Sequence, residues 1–230
     1  MTNTDNYNHI IATKKPIGLV AGGPVRRTDF SAVQKFASEF AAADGGANFL
    51  LREGLMPVAV YGDMDSLSLN ARSSIAPDRL HLRSEQVTTD FDKALRSISA
   101  PLILALGTLG GRVDHELAVF NVLLRQITQP CVLVGPSDVI FAAPPCCDID
   151  LDMHLNDRVS LFPMAQVAGV SQGLEWPVDG LKLDPMGLVG TSNRVTARHV
   201  RLRFFTPGML IILPRARLAQ AARTVQSLQR

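Results

Sequence analysis

Leu102-Ile103-Leu104-Ala105-Leu106-Gly107-Thr108-Leu109-Gly110-Gly111-Arg112-Val113-Asp114-His115 is an apolar run that breaks on a glycine-rich turn and resumes with helical character. The run is short and has no polar interruption, as a strand covered on both faces requires. The same pattern recurs upstream. Ile17–Ala21 closes on Gly22-Gly23-Pro24, Ala41–Ala43 on Asp44-Gly45-Gly46-Ala47-Asn48, and Val58–Tyr61 on Gly62-Asp63-Met64-Asp65-Ser66. Helical spacing is predicted over Asp29–Phe40 (Phe30, Val33, Phe36, Ala37, Phe40), Ala47–Glu53, Asp90–Ile98 with Thr88 or Thr89 as N-cap, and Val113–Gln126. Arg79–Leu82 reads as an edge strand, and Cys131–Val134 closes the series. Strands alternating with helices predict an α/β domain, a parallel sheet with helices on both faces. Ligands of such sheets sit beyond the carboxyl ends of the strands. Asp44, Asp63, Asp65 and the Gly110–His115 turn all fall there.

Beyond Pro144-Pro145 the texture changes to short strand-like segments separated by turns: Val159–Phe162, Gln166–Val170, Gly187–Gly190, Val195–Arg203 and Met209–Leu213. These predict an all-β second domain of sandwich or small-barrel type. Arg215–Arg230 has Leu218, Ala222, Val225 and Leu228 on one helical face. The expected division is a loose polar tail over 1–15, an α/β domain over 16–143, the β domain over 144–214 and a helical tail over 215–230.

Composition narrows the function. A chain of 230 residues with 47% hydrophobic and 19% charged residues can bury a full core. A formal net charge of +2, without a dense basic patch, does not point to nucleic acid. The three cysteines have no zinc spacing and are expected to be reduced thiols of a cytoplasmic protein. No signal-peptide layout and no apolar stretch of membrane-spanning length is present.

The residues at the strand ends suit polyphosphate and divalent-metal chemistry. Asp63 and Asp65, two apart on a turn, can aim both carboxylates into one mouth, as octahedral Mg²⁺ with shared phosphate ligands requires; the plainer reading is a helix-capping turn. Asp90 and Lys93 share a face at a helix start, either for metal and phosphate or as a local ion pair. Asp92 is expected to point to solvent. Gly110-Gly111-Arg112 would offer backbone N–H groups and a guanidinium fork to an anion. Asp114-His115 and Asp44-Gly45-Gly46 are equally compatible with a nucleotide or with ordinary turns. Trp176, the single tryptophan, is either a packing aromatic or a platform for a flat or cationic substrate.

In order and spacing these pieces resemble the thiamine pyrophosphokinase (thiamine diphosphokinase) family. The match runs from Ala43-Asp44-Gly45-Gly46-Ala47-Asn48 and Gly62-Asp63-Met64-Asp65-Ser66 through Thr89-Asp90 with Lys93-Ala94-Leu95 to Gly107-x-x-Gly110-Gly111-Arg112-x-Asp114-His115. It continues into Ser160-Leu161-Phe162-Pro163, Gly173-Leu174-x-Trp176 and Thr191-Ser192-Asn193. The resemblance implies an α/β domain with a C-terminal β-sandwich, a homodimer with sites shared between subunits, and pyrophosphoryl transfer from ATP to thiamine. It further implies Mg²⁺ on Asp63, Asp65 and Asp90 with Asp44 nearby, and Lys93 and Arg112 facing the phosphates. Gly45, Gly46, Gly110, Asp114 and His115 would line the nucleotide site. Gln86 would lie near the thiamine hydroxyl, and Trp176, Ser192 and Asn193 would contact thiamine. A pterin diphosphokinase of a related family and a non-catalytic thiamine or nucleotide sensor are the alternatives. Trp176 and Ser192-Asn193 favour thiamine over pterin, and an intact carboxylate set argues against a sensor.

Overall fold

The structure is a computed structural model that describes residues 10–82 and 87–228. It forms two compact units, Met1–Val119 and Phe120–Arg230, the division falling inside one helix.

The first unit contains, in order, β1 (Ile11–Ala12), β2 (Ile17–Val20), α1 (Arg27–Val33), β3 (Phe40–Ala43), α2 (Gly46–Arg52), β4 (Val60–Gly62), α3 (Leu69–Ser74), β5 (Leu80–Leu82), α4 (Asp90–Arg96), β6 (Ile98–Ser99), β7 (Ile103–Leu106) and the start of α5 (Val113–Arg125). Here the sheet order is β7-β2-β3-β4-β5, every pair parallel. β2, β3, β4 and β7 are buried at every position, so they show no polar alternation. Helices α1, α2 and α4 pack on these strands. The approach of α2 to the sheet is possible because its first residue has no side chain: a Cβ on Gly46 would stand 1.9 Å from the Val20 carbonyl oxygen.

Several expectations shift. The helix anticipated over Asp29–Phe40 stops at Val33, and Phe40 opens β3 instead, its ring 5.0 Å from that of Phe30. The apolar spacing was real, but a strand and a turn also bury Phe40. Helix α4 ends at Arg96 so that Ile98–Ser99 can pair with β1, which places Ile11–Ala12, within the segment expected to be a loose tail, in a short parallel ladder. Asp92 is fully buried rather than solvated, with Arg96 at 3.6 Å. Helix α3 had no strong apolar signature; Ser68 caps it by accepting from the Ala71 N–H.

The second unit holds β8 (Cys131–Val134), β9 (Asp138–Ala143), β10 (Ile149–Asp152), β11 (Arg158–Pro163), β12 (Val167–Gln172), β13 (Lys182–Leu183), β14 (Gly190–Arg194), β15 (His199–Phe204), β16 (Met209–Pro214) and α6 (Leu218–Ser227). The described pairs are antiparallel, in the orders β14-β11-β16-β9-β8 and β10-β15-β12-β13. The fold is thus a mixed α/β N-terminal sheet with helices, followed by an antiparallel β region. β15 alternates cleanly, burying Val200, Leu202 and Phe204 while His199, Arg201 and Arg203 stay outside. The sequence reading had started this strand four residues early, where the alternation is only partial. On the outer face Asp150 opposes Arg201 and Asp152 opposes His199. Helix α6 is packed on its unit through Leu218, Ala221, Ala222 and Val225.

Candidate functional site

The carboxyl ends of β2, β3, β4 and β7 open on one cleft of about 480 Å³, whose lining includes Gly22, Gly23, Asp44, Asp90, Thr108 and Arg112. The chain reverses sharply at each end. Asp44, Met64 and Gly107 have φ of 42°, 66° and 68°, and Gly62 has φ of 142°. The backbone favours glycine at 62, and the space there is tight. A Cβ there would lie 3.1 Å from the Asp44 Cβ and 3.2 Å from the Asp90 carboxylate. The end of β4 is therefore wedged between the side chains of Asp44 and Asp90.

One oxygen from each of Asp44, Asp63 and Asp65 lies within 4.8 Å of the others. Oxygens around Mg²⁺ bind at about 2.1 Å and so stand at most ~4.2 Å apart. A small side-chain rotation closes the difference, and the all-carboxylate donor set is the hard-oxygen chemistry that Mg²⁺ takes. Asp44 is buried, whereas Asp63 and Asp65 are exposed. Burial pushes the Asp44 carboxyl above its ordinary value; hydrogen bonds with Ser66 oppose this, and the charges of Asp65 and Asp90 add to the rise. A cation among these groups would offset both the burial and the repulsion. The turn is braced from α2: Asn48 Nδ2 donates to the Ser66 carbonyl (2.8 Å), and the Ser68 N–H donates to Asn48 Oδ1 (3.0 Å).

The predicted residues divide as follows. Asp44, Asp63 and Asp65 form the carboxylate cluster, and Asp90 adjoins it from the first turn of α4, where Thr89 Oγ1 accepts from the Asp92 N–H. Lys93 Nζ donates to Asp90 Oδ1 at 3.0 Å and is buried, 6% exposed, outside the cleft lining. Arg112 and His115 line the cleft. The Arg112 guanidinium grips Asp114 through Nη2 (2.6 Å) and Nε (3.1 Å), which raises its own pKa and holds the Asp114 carboxyl below its usual range. The Gly110 and Gly111 N–H groups donate to Glu116 Oε1 at 2.7 and 2.9 Å. Gly45 and Gly46 form the turn into α2. Gln86 lies outside the described residues.

In the second unit, Trp176 is 57% exposed while Asn193 is buried. Asn193 holds the Trp176 backbone from both sides: its Nδ2 donates to the Trp176 carbonyl (2.6 Å), and the Trp176 N–H donates to its Oδ1 (3.2 Å). Ser192, with φ of 60°, is exposed and donates its N–H to Ser160 Oγ at 3.0 Å. Asn193 thus fixes the backbone that carries Trp176, a contact that sequence alone did not suggest. Thr108, Glu116 and the Gly22-Gly23 turn also join the site unannounced; Gly22-Gly23 had the signal, a glycine pair ending a buried strand.

Two family models match the chain. The family described as thiamin pyrophosphokinase, catalytic domain, matches residues 30–134, and thiamin pyrophosphokinase, vitamin B1 binding domain, matches residues 146–207. Thiamin pyrophosphokinase 1 of Caenorhabditis elegans is 30% identical over 179 residues, covering 70% of this chain and 73% of its own. Thiamine pyrophosphokinase of Bacillus subtilis is 28% identical over 212 residues, covering 86% of this chain and 98% of its own. The crystal structure of the Bacillus subtilis enzyme superposes with a TM-score of 0.70 at 25% identity, covering 87% of this chain and 98% of that one.

Proposed function

The chain belongs to the thiamin pyrophosphokinase family, and we propose that it carries out that family's reaction, moving the pyrophosphoryl group of ATP to the hydroxyl of thiamine to give thiamine diphosphate and AMP. The observation that carries this reading is the cluster of Asp44, Asp63 and Asp65, of which Asp44 also lines a cleft together with glycine turns, Asp90 and Arg112. The matched vitamin B1 binding segment supports thiamine over a pterin as acceptor.

Asp63 and Asp65, with Asp44 and Asp90 beside them, would hold Mg²⁺. Bound there, the ion supplies charge neutralisation of the phosphate oxygens. Asp90 is kept in place by Lys93, whose ammonium is buried against it. Arg112 is the cleft's guanidinium and exchanges Asp114 for phosphate oxygens when a nucleotide enters. Gly45 and Gly46 keep the nucleotide-side role that the resemblance implies by seating the turn into α2, and His115 lines the wall. The hydroxyl oxygen of thiamine bonds to the β-phosphorus as the bond from that phosphorus to the α,β-bridging oxygen breaks, releasing AMP and a proton. Such a loose transition state needs in-line placement more than a covalent nucleophile.

The region 16–143 serves the nucleotide and metal in this reading, and 144–214 serves thiamine. Trp176 offers an exposed indole face to the cationic ring system, and Asn193 fixes the backbone that carries it. Ser192 lies beside them, and Gln86 keeps its proposed place near the thiamine hydroxyl. A homodimer is supported by the resemblance and by exposed apolar side chains in the second unit, Trp176, Met186 (98% exposed) and Leu188 among them. Free cysteines fit a cytoplasmic setting, and no helix among the described residues is long and apolar enough to cross a membrane. Purified protein incubated with Mg·ATP and thiamine should release AMP and thiamine diphosphate in equal amounts; release of ADP would reject pyrophosphoryl transfer.

A further inference from the structure

The turn between β7 and α5 satisfies its own donors with carboxylates from its own helix. Glu116 Oε1 accepts from the N–H groups of both Gly110 and Gly111, and Asp114 accepts from Arg112. Thr108, in the same turn, is 5% exposed, and among the described residues its buried hydroxyl has no hydrogen-bond partner. Thr108, Gly111, Arg112 and Glu116 all line the cleft. Two adjacent backbone N–H groups converging on one anionic oxygen make a seat for a phosphate oxygen as readily as for a carboxylate. Native structures rarely leave a buried hydroxyl unpaired, and this one lines the same cleft as Gly111 and Glu116.

We propose that Glu116 is a displaceable occupant of a phosphate seat formed by the Gly110 and Gly111 N–H groups and the Thr108 hydroxyl, and that its carboxylate sets how much negative charge a ligand must carry to enter. The inference rests on the nucleotide-cleft reading above. A tethered carboxylate competes at an effective concentration in the millimolar range or above. A ligand with a single phosphate gains too little from the seat to expel it. A triphosphate, which gains Arg112 and the carboxylate-bound cation at the same time, displaces it and satisfies Thr108. Expelling Glu116 therefore costs the triphosphate some affinity that a monophosphate does not lose, and Glu116 assists product departure by reclaiming the two N–H groups.

Calorimetric titration of ATP, inorganic tripolyphosphate and AMP into wild type, Glu116→Gln, Glu116→Ala and Thr108→Val, with Mg²⁺ present, tests this. Glu116→Gln keeps an oxygen acceptor for the turn while removing the charge, so it serves even if Glu116→Ala folds poorly. The expected result is ATP and tripolyphosphate binding tightened by about tenfold in Glu116→Gln, AMP by less, and the ATP-to-AMP preference correspondingly increased. Thr108→Val should weaken ATP and tripolyphosphate about 5-fold to 10-fold. Unchanged or weakened ATP binding in Glu116→Gln would make Glu116 a mere brace of the turn and overturn the proposal, as would unaltered ATP binding in Thr108→Val. Failure of wild type to bind ATP would strike the nucleotide-cleft reading itself, a result distinct from wild-type binding that the variants leave unmoved.

Discussion

Asp65 is exposed, and its side chain accepts within its own turn from Ser66 Oγ at 2.9 Å. Its replacement should therefore cost the fold little, within about 0.5 kcal/mol as for most surface sites. Turnover should fall by two orders of magnitude or more, on the scale of losing one electrostatic stabiliser of the transition state, about 10²–10³. Steady-state kinetics beside a thermal melt of Asp65→Ala separates the two effects, and an equal loss of stability would assign Asp65 a structural role. Trp176 and Asn193 are expected to differ in the opposite sense. Trp176→Ala removes an exposed indole and should raise the thiamine KM with the melting temperature unchanged. Asn193→Ala leaves the Trp176 N–H and carbonyl without their partners, so it should cost about 1–3 kcal/mol and raise the thiamine KM as well. A thiamine KM untouched by either change would remove this pair from the site.

The C-terminal helix shows what holds an element that local propensity alone leaves marginal. Arg217, just ahead of α6, clasps Asp157 from Nε (2.6 Å) and Nη2 (2.9 Å), and Thr224 Oγ1 donates to the Asp150 carbonyl at 2.8 Å. Burial opposes ionisation of Asp157, but the bonds from Arg217 and the His154 N–H outweigh it and keep the carboxyl below its ordinary value of 3.8. A depressed folded value means the clasp stabilises fully above pH 3.8 and fades as pH drops through the folded value. Asp157→Asn should thus lower stability by about 1–3 kcal/mol at pH 7. The gap should close as the pH falls below 3.8, a trend that urea denaturation at several pH values would reveal. A gap independent of pH would mean that packing of Leu218, Ala221, Ala222 and Val225 holds the helix without help from the ion pair.

For the molecule as a whole, a ligand that binds only the folded state stabilises it by mass action, about 2.7 kcal/mol at a hundred times Kd. Mg·ATP should raise the melting temperature of wild type, and the part of the rise that depends on Mg²⁺ should vanish in Asp65→Ala; a persisting rise would move the metal elsewhere. Sedimentation equilibrium should report twice the chain mass, and a monomer at working concentration would remove the dimer. Much of the architecture could be read from the chain because strands buried on both faces admit no polar residue: Ile17–Val20, Phe40–Ala43 and Ile103–Leu106 announce themselves as apolar runs ended by glycine or aspartate. The α/β order, the antiparallel region behind it and the acidic turns at strand ends follow from that local pattern. Short elements such as Leu69–Ser74, which buries only Ala71, and Ile149–Asp152 carry too few periods to be recognised. Which carboxylates meet is not a local property. Asp44 joins Asp63 and Asp65 because β3 and β4 lie side by side in register, whereas the pairing of Lys93 with Asp90, three residues apart on one helix, is one that the spacing already offers. Burial and partner choice depend on through-space distances between segments far apart in the chain, and those distances exist only after folding.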